Sequence, residues 1–323
     1  MLNNTFIALW TPDRQDERRA VTEEALDLVG KGLPRDTEVI ARMHRMWSLL
    51  RRGELDLYDA ELATCARLAG EVRIPEIAGQ MLRGKTGRAI LAGRWREAEE
   101  LAEEAFERLS ATNLWGAQWC RMVQLYTLRR EQGRLGELMP ELLTLCDEPG
   151  GEPIRPTTVL AVADLGRQDE AVRRITDWGS SRPFDWSWDF LTAQWAAVAA
   201  LVGQPGPAAL YEDLLPRRDW LVVAGTGVTT WGSTHTVLGL LARRLGRGES
   251  AAGHFEASVT HNRRLGGRPF EARDRFELAR LRQETPELGA GRESMIDLLG
   301  PASEIAGQVG MTALAADIAR LVS

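Results

Sequence analysis

The chain has 323 residues, and its 46 Asp and Glu outweigh 40 Lys and Arg for a formal charge of −6; this balance disfavours a nucleic-acid groove, which needs a basic stripe to meet phosphate. Cys65, Cys120 and Cys146 are widely spaced and form no C-x-x-C pair, so neither a zinc site nor a disulfide framework is indicated, and a reducing cytoplasm is the expected setting. No run approaches 18 uninterrupted apolar residues and the first residues lack a basic segment followed by an apolar one, so membrane spanning and secretion are not expected.

One recurring turn punctuates the chain. It reads Leu165-Gly166-Arg167-Gln168-Asp169-Glu170-Ala171 in full, returns at 92–98, 132–137 and 245–251, and has looser copies at Arg52-Gly53-Glu54 and Val202-Gly203-Gln204. Its glycines at 53, 93, 133, 166, 203 and 246 stand 40, 40, 33, 37 and 43 residues apart, a period that specifies a helical-repeat array. Gly accepts the left-handed conformation that ends one helix, and the Glu that follows suits the positive end of the next helix's dipole. Each unit is therefore a helical hairpin, and because one hairpin cannot bury its own apolar face, neighbours stack. The expected fold is all-α: a tetratricopeptide-like α-solenoid of about seven hairpins, one domain over residues 1–323 with a soft break near 147–154, where Pro and Gly cluster. By analogy with tetratricopeptide arrays, the first helix of each hairpin lines the concave side of a right-handed superhelix.

In chain order, residues 13–30 read as a lone second helix whose partner would precede Met1 in a longer relative. A first helix over about 37–52 carries Ile40, Met43, Trp47 and Leu50 at helical spacing, with His44 between Arg42 and Arg45 expected on the surface; its partner covers 58–69. Helix 76–92 contains Gly79-Gln80-Met81-Leu82-Arg83-Gly84-Lys85-Thr86, a letter-for-letter match to the phosphate-loop pattern. Such a loop must leave a buried strand, and here the repeat register puts it inside a helix whose amides already bond carbonyls. Its glycines are instead expected to make room for a neighbouring helix or a bound group. Helix 97–109 is amphipathic; helix 114–132 holds Trp115 and Trp119 one turn apart, and its partner ends near 145. Helices over 157–165 and 169–178 precede the segment 184–195, in which Asp185, Trp188, Asp189, Thr192 and Trp195 share one helical stripe. A short helix to Leu215 and an extended loop over 220–227 lead to a helix over 230–245 with Trp231 and His235 one turn apart. Helices over 249–265, 270–283 and 292–309 follow, then one ending near Leu321. His254 and His261 are seven apart with no third metal ligand at a suitable spacing.

Laid out in this way, the runs Leu210-Tyr211-Glu212-Asp213-Leu214-Leu215-Pro216, Leu238-Gly239-Leu240-Leu241-Ala242, His254-Phe255-Glu256-Ala257, Asn262-Arg263-Arg264-Leu265-Gly266 and Leu278-Ala279-Arg280-Leu281 resemble the C-terminal tetratricopeptide-like region of actinobacterial ATP-binding regulators, of the LuxR-type and cyclase-associated kinds. The resemblance covers nearly the whole chain and implies a helical-repeat fold, but its motifs are packing motifs and bring no catalytic residue across. The ATPase and output domains of such regulators have no counterpart in this sequence, which reads either as a fragment of one or as a stand-alone protein.

Eleven Trp outnumber 7 Phe and 3 Tyr together, and seven fall on first helices, the side expected to face inward. Trp47, Trp115, Trp119, Trp188, Thr192, Trp195 and Trp231 are therefore the candidate ligand-binding residues of an apolar cleft. Two functions follow. In one, the chain is a binding module whose Trp-lined concave face holds a peptide or small molecule. In the other, it is an enzyme of specialised metabolism, performing a cyclisation or rearrangement without a diffusible cofactor or metal, with Asp185, Asp189 and His235 as acid-base groups. Against both stands packing: Trp can fill the core between hairpins, and Asp can cap a helix start. The partners expected are a small molecule, a peptide or another protein, and neither nucleic acid nor membrane.

Overall fold

The computed structural model describes residues 2–32, 34–112, 114, 116–288 and 292–323. Among these it contains seventeen α-helices and a single two-stranded ribbon. Helices α1 (Leu2–Ala8) and α2 (Gln15–Leu26) lead into seven hairpins. The first three are α3 (Arg35–Arg51) with α4 (Leu55–Val72), α5 (Pro75–Ala92) with α6 (Trp95–Ser110), and α7 (Ala117–Glu131) with α8 (Met139–Asp147). Then come α9 (Arg155–Asp164) with α10 (Gln168–Trp178), and α11 (Trp188–Val202) with α12 (Pro207–Leu214). Strands β1 (Leu221–Val223) and β2 (Thr230–Ser233) intervene before α13 (Thr234–Arg244) with α14 (Gly248–Arg264), α15 (Arg268–Glu284) with α16 (Arg292–Val309), and a final α17 (Thr312–Val322). The all-α expectation holds, and no helix among the described residues is long and apolar enough to cross a membrane.

The recurring turn works as its chemistry requires. At Gly166, φ is +78°, and the chain closes with two crossed bonds: Gly166 N donates to Ala163 O at 3.0 Å and Arg167 N to Val162 O at 3.1 Å. The same pair of bonds recurs at Gly53, Gly93, Gly133 and Gly246, all with positive φ. This motif satisfies carbonyls that a helix end would otherwise leave bare. The looser copy at Gly203 keeps one bond, from its own N to Ala199 O at 2.8 Å.

The stack does not stay open. In a linear solenoid each unit touches only its neighbours, but here early hairpins meet late ones. Arg51 on α3 ion-pairs with Asp189 on α11, Arg273 on α15 donates to Glu131 on α7 at 2.7 Å, and Thr312 Oγ1 on α17 donates to Gln132 O at 2.5 Å. Gly53 packs against Leu265 and Leu221, and Gly93 against Val309 and Pro269.

The β-ribbon threads the space between these hairpins. Its strands are antiparallel, pairing Leu221 with Ser233 and Val223 with Thr230, and Val222, Val228, Thr229 and Thr230 are buried. The extended loop expected over 220–227 is thus one arm of a buried hairpin; the other arm, Thr230-Trp231-Gly232-Ser233, is strand where the sequence predicts the start of a helix, and α13 begins only at Thr234. Its polar groups are met by first helices: Gln124 Nε2 donates to Val228 O at 2.7 Å, Thr226 Oγ1 to Gln80 Oε1 at 3.0 Å, and Thr230 Oγ1 to Gly87 O at 3.3 Å. The phosphate-loop look-alike is explained here. It lies inside α5, and each glycine receives a neighbour: Gly79 the side chain of Leu109, Gly84 those of Tyr58 and Leu62, and Gly87 the backbone carbonyl of Gly227, which a Cβ would approach to 2.5 Å.

Candidate functional site

A cavity of about 640 Å³ is walled by α7, α9, α11, α13 and α15, with Trp231 of β2 and Asp317 of α17. The five helices are all first members of their hairpins. Tyr126, Trp231, Phe270 and Phe276 supply aromatic surface. The Trp231 indole N–H is engaged by Thr127 Oγ1 at 3.0 Å, and its ring meets Phe190 edge-on at 4.9 Å. Small residues of α11, Ala197 and Ala200, open the space between the walls.

Charge in the cavity is dense but matched. Arg130 Nε donates to Asp164 Oδ2 at 2.9 Å, and Tyr126 OH donates to the same oxygen at 2.5 Å. Arg273 clasps Glu131 through two bonds of 3.2 and 2.7 Å, while Arg243 reaches both Glu277, at 3.2 Å, and Glu284, at 2.8 Å. Arg280 also donates to Glu277, at 2.6 Å. Burial works to lower the Arg130 pKa, but Asp164, Tyr126 and Glu131 together outweigh it and the guanidinium stays firmly protonated. Burial, with Asp164 adding to it, pushes the Tyr126 phenol well above its ordinary range.

Of the residues singled out from the sequence, Trp231 lines this cavity. Trp115 lies outside the described residues. Trp47, Trp188 and Trp195 are core side chains: Trp47 stacks on Trp10 at 4.9 Å, Trp188 lies under the Arg217 guanidinium at 4.8 Å, and Trp195 is almost wholly enclosed. Trp119 is half-buried against Gly150, and Thr192 is fully buried. The stripe expected over 185–195 is shortened because α11 begins at Trp188. Asp185 sits in the preceding turn, where Oδ1 accepts from Ser187 N at 2.8 Å and Ser187 Oγ at 2.6 Å, the local cap that Asp readily forms. Asp189 is buried in an ion pair with Arg51, and the void beside it, about 10 Å³, is no larger than a water. The placement of these residues follows from volume and charge: indoles sort into the core because they are large and apolar, and a buried carboxylate goes where a buried cation needs it.

His235 belongs to a separate relay outside the cavity walls. Its Nδ1 meets His254 Nδ1 at 2.9 Å, its Nε2 lies 3.6 Å from Asp219, and His254 Nε2 meets Tyr211 OH at 2.9 Å. His261 Nδ1 meets Ser233 Oγ at 2.9 Å. His44, expected on the surface, is buried among Phe6, Trp10 and Trp47, because it occupies the inward side of α3 while its Arg neighbours turn out to Glu38 and Glu61. Among the described residues no group of three or more His, Cys, Asp or Glu is arranged to hold a metal. The three cysteines are free thiols, and burial raises each, Cys65 to about 12.

What went unnoticed in the sequence is a ladder on α15: Arg273, Phe276, Glu277, Arg280 and Glu284 recur at helical spacing and all line the cavity. Charges repeated along a helix expected to face inward are the signal that could have found it.

The buried imidazoles give a pH expectation. Burial is the main cause in each, holding His44 at about 3 and His254 and His261 at about 4, against 6.5 unperturbed. Below pH 6.5 the unfolded chain takes up protons that the native chain refuses, so stability is level above that value and falls as pH descends toward 4. Asp274, raised to about 7 by burial, acts oppositely, its contribution growing as pH falls from 7 to 3.8, and offsets one of the three. Discounted for partial exposure, the net loss should be about 1–2 kcal/mol per pH unit below 6.5, read as a falling urea midpoint. A midpoint unchanged between about pH 7 and about pH 5 would contradict the neutral state of these histidines.

No protein-family model matches the sequence, and no curated protein is significantly similar to it.

Proposed function

We propose that the chain is a binding module that encloses a small ligand, a metabolite or short peptide, in the cavity between its first helices. The observation carrying this reading is a space of about 640 Å³ bounded by five successive first helices, within the usual size range of small-molecule sites. Its aromatic surface offers stacking, and most of its charges are already paired with one another. A ligand entering such a site gains most from apolar burial and from sharing existing hydrogen bonds, so a molecule of small net charge with a ring or branched apolar part suits it. The Trp-lined site foreseen from the sequence becomes a site of mixed aromatic residues, of which Trp231 is the indole. Asp185, Asp189 and His235 lie outside its lining, so no specific observation favours acid-base catalysis by those three. The likeness to the repeat region of actinobacterial regulators agrees with a sensing role in the cytoplasm.

Ala200→Trp is the direct test, because it places an indole in the cavity from a half-buried position on α11. Metabolites and short peptides are screened by thermal shift, and hits are quantified by calorimetry. Hits should lose about tenfold or more in affinity, at least ~1.4 kcal/mol, while the variant melts near the parent temperature. Hits that bind the filled variant equally well would place the site elsewhere.

A further inference from the structure

The N-terminal helices gather more cationic donors than the fold supplies with acceptors. Arg18, on α2, is fully buried; its Nη2 donates to His44 O at 3.2 Å and to Ser48 Oγ at 2.9 Å, both neutral, while Nε and Nη1 have no partner. Its guanidinium lies 4.6 Å from the Trp10 ring. Trp10 stacks on Trp47 at 4.9 Å and meets His44 edge-on at 5.4 Å, and Trp10 Nε1, Trp47 Nε1 and His44 Nδ1 are likewise buried without a partner. Arg51 is buried too, bonding Asp189 and, at 2.9 Å, Trp186 O, with its Nε left over. Asp189 is shared again with Arg217, at 3.8 Å.

The charge count is therefore lopsided: three guanidiniums face one carboxylate. The acids of α2 do not correct it, since Asp16, Glu17, Glu23 and Glu24 are solvent-exposed, the first three paired with Arg52, Arg14 and Arg19. Burial, with Arg51 adding to it, depresses Arg18 to about 9, another expression of the missing negative charge. Buried donors are almost always satisfied in folded proteins by protein, water or an ion, and a buried cation is ordinarily paired.

We propose that the cluster of Arg18, Arg51, Trp10, Trp47 and His44 is a structural site for a small monovalent anion of halide size. The unpartnered atoms of these five residues are nitrogens, of which the guanidinium and indole N–H groups can only donate, and a halide accepts from such donors without the fixed bidentate geometry of a carboxylate or phosphate; the unpartnered oxygen beside them, Asp189 Oδ1, faces Arg217 Nε at 3.8 Å. Rings packed at 4.6, 4.9 and 5.4 Å leave little room for a tetrahedral oxyanion. The anion neutralises the seam at which α2 and α3 hold α11, and the site is independent of the large cavity and its ligand.

Bromide supplies the probe. Crystals grown without chloride and soaked in sodium bromide should show an anomalous peak within hydrogen-bond reach of Arg18 Nε or Nη1, and Arg18→Met crystals should show none there. In solution, the melting temperature should be about 2–4 °C higher in sodium chloride than in sodium gluconate of equal ionic strength, with the difference lost in Arg18→Met. Trp10→Phe, which keeps the ring and removes one donor, should raise the half-saturating chloride concentration several-fold; if Arg18→Met does not fold, this variant and the wild-type bromide map decide the matter. Absence of the bromide peak from the wild type, or equal melting in the two salts, would overturn the site.

Discussion

Asp189→Ala should cost about 3–5 kcal/mol of folding stability. The reason is what remains behind. Arg51 is 3% exposed and, among the described residues, relies on Asp189 for its ion pair, with Arg18 buried close by, so the substitution leaves a concentrated positive charge out of reach of water. The double variant Arg51→Met with Asp189→Leu removes both charges at similar volume and should recover most of the loss, since well-packed apolar pairs often match buried ion pairs. Urea denaturation of the two single variants and the double gives the coupling directly. A loss below about 1 kcal/mol for Asp189→Ala would mean that the pair behaves like one at the surface.

Gly87→Ala and Gly70→Ala should move stability in opposite directions, although both replace a glycine inside a helix. Around Gly70, on α4, an added Cβ meets nothing within 4 Å, so the gain is that of helix propensity, about 0.5–1 kcal/mol. At Gly87, on α5, the Cβ would lie 2.5 Å from the Gly227 carbonyl oxygen, and backbone cannot turn aside as a side chain can. The β-ribbon must shift, weakening the bonds from Thr230 to Gly87 O and from Gln124 to Val228 O, for an expected net loss of about 2–3 kcal/mol. Melting curves of the two variants beside the parent are enough to check the pair. Equal gains would show that the ribbon is not seated on α5.

The same glycines show how far the sequence could be read. The repeat was legible because the turn is a local structure: a left-handed glycine followed by Arg and an acidic residue carries its own bonds, and four such copies with two looser ones announced six helix ends without any knowledge of the rest. The buried face of α5 was also partly legible, because glycine inside a helix is costly unless something approaches it. What approaches Gly87 was not, since the Gly227 carbonyl comes from a segment distant in sequence. The cavity was misread for a related reason. Trp47, Trp188 and Trp195 sit on first helices as expected, but a helix in a curled stack buries more than one face, and the widest aromatic side chains fill the seams between helices. The open face went instead to Arg130, Arg273, Glu277 and Arg280, charged residues whose inward position is tolerable because each finds an opposite charge, the first three on another helix and Arg280 on its own α15. Asp189 follows the same logic, since its partner depends on which hairpins meet across the stack and no nearest-neighbour pattern encodes that; His44 is enclosed by Phe6 and Trp10 of the N-terminal segment and by Trp47 of its own helix.

The meeting of early and late hairpins has a consequence for how the chain comes apart and assembles. Arg51 and Asp189 are 138 positions apart, Glu131 and Arg273 142, and Gln132 and Thr312 180. Such latches cannot form until most of the polypeptide is in place, and loop-closure entropy makes them late events. Pulled from its two ends, an unlatched stack would peel one hairpin at a time; this one should hold until the latches yield and then give way in a single large extension.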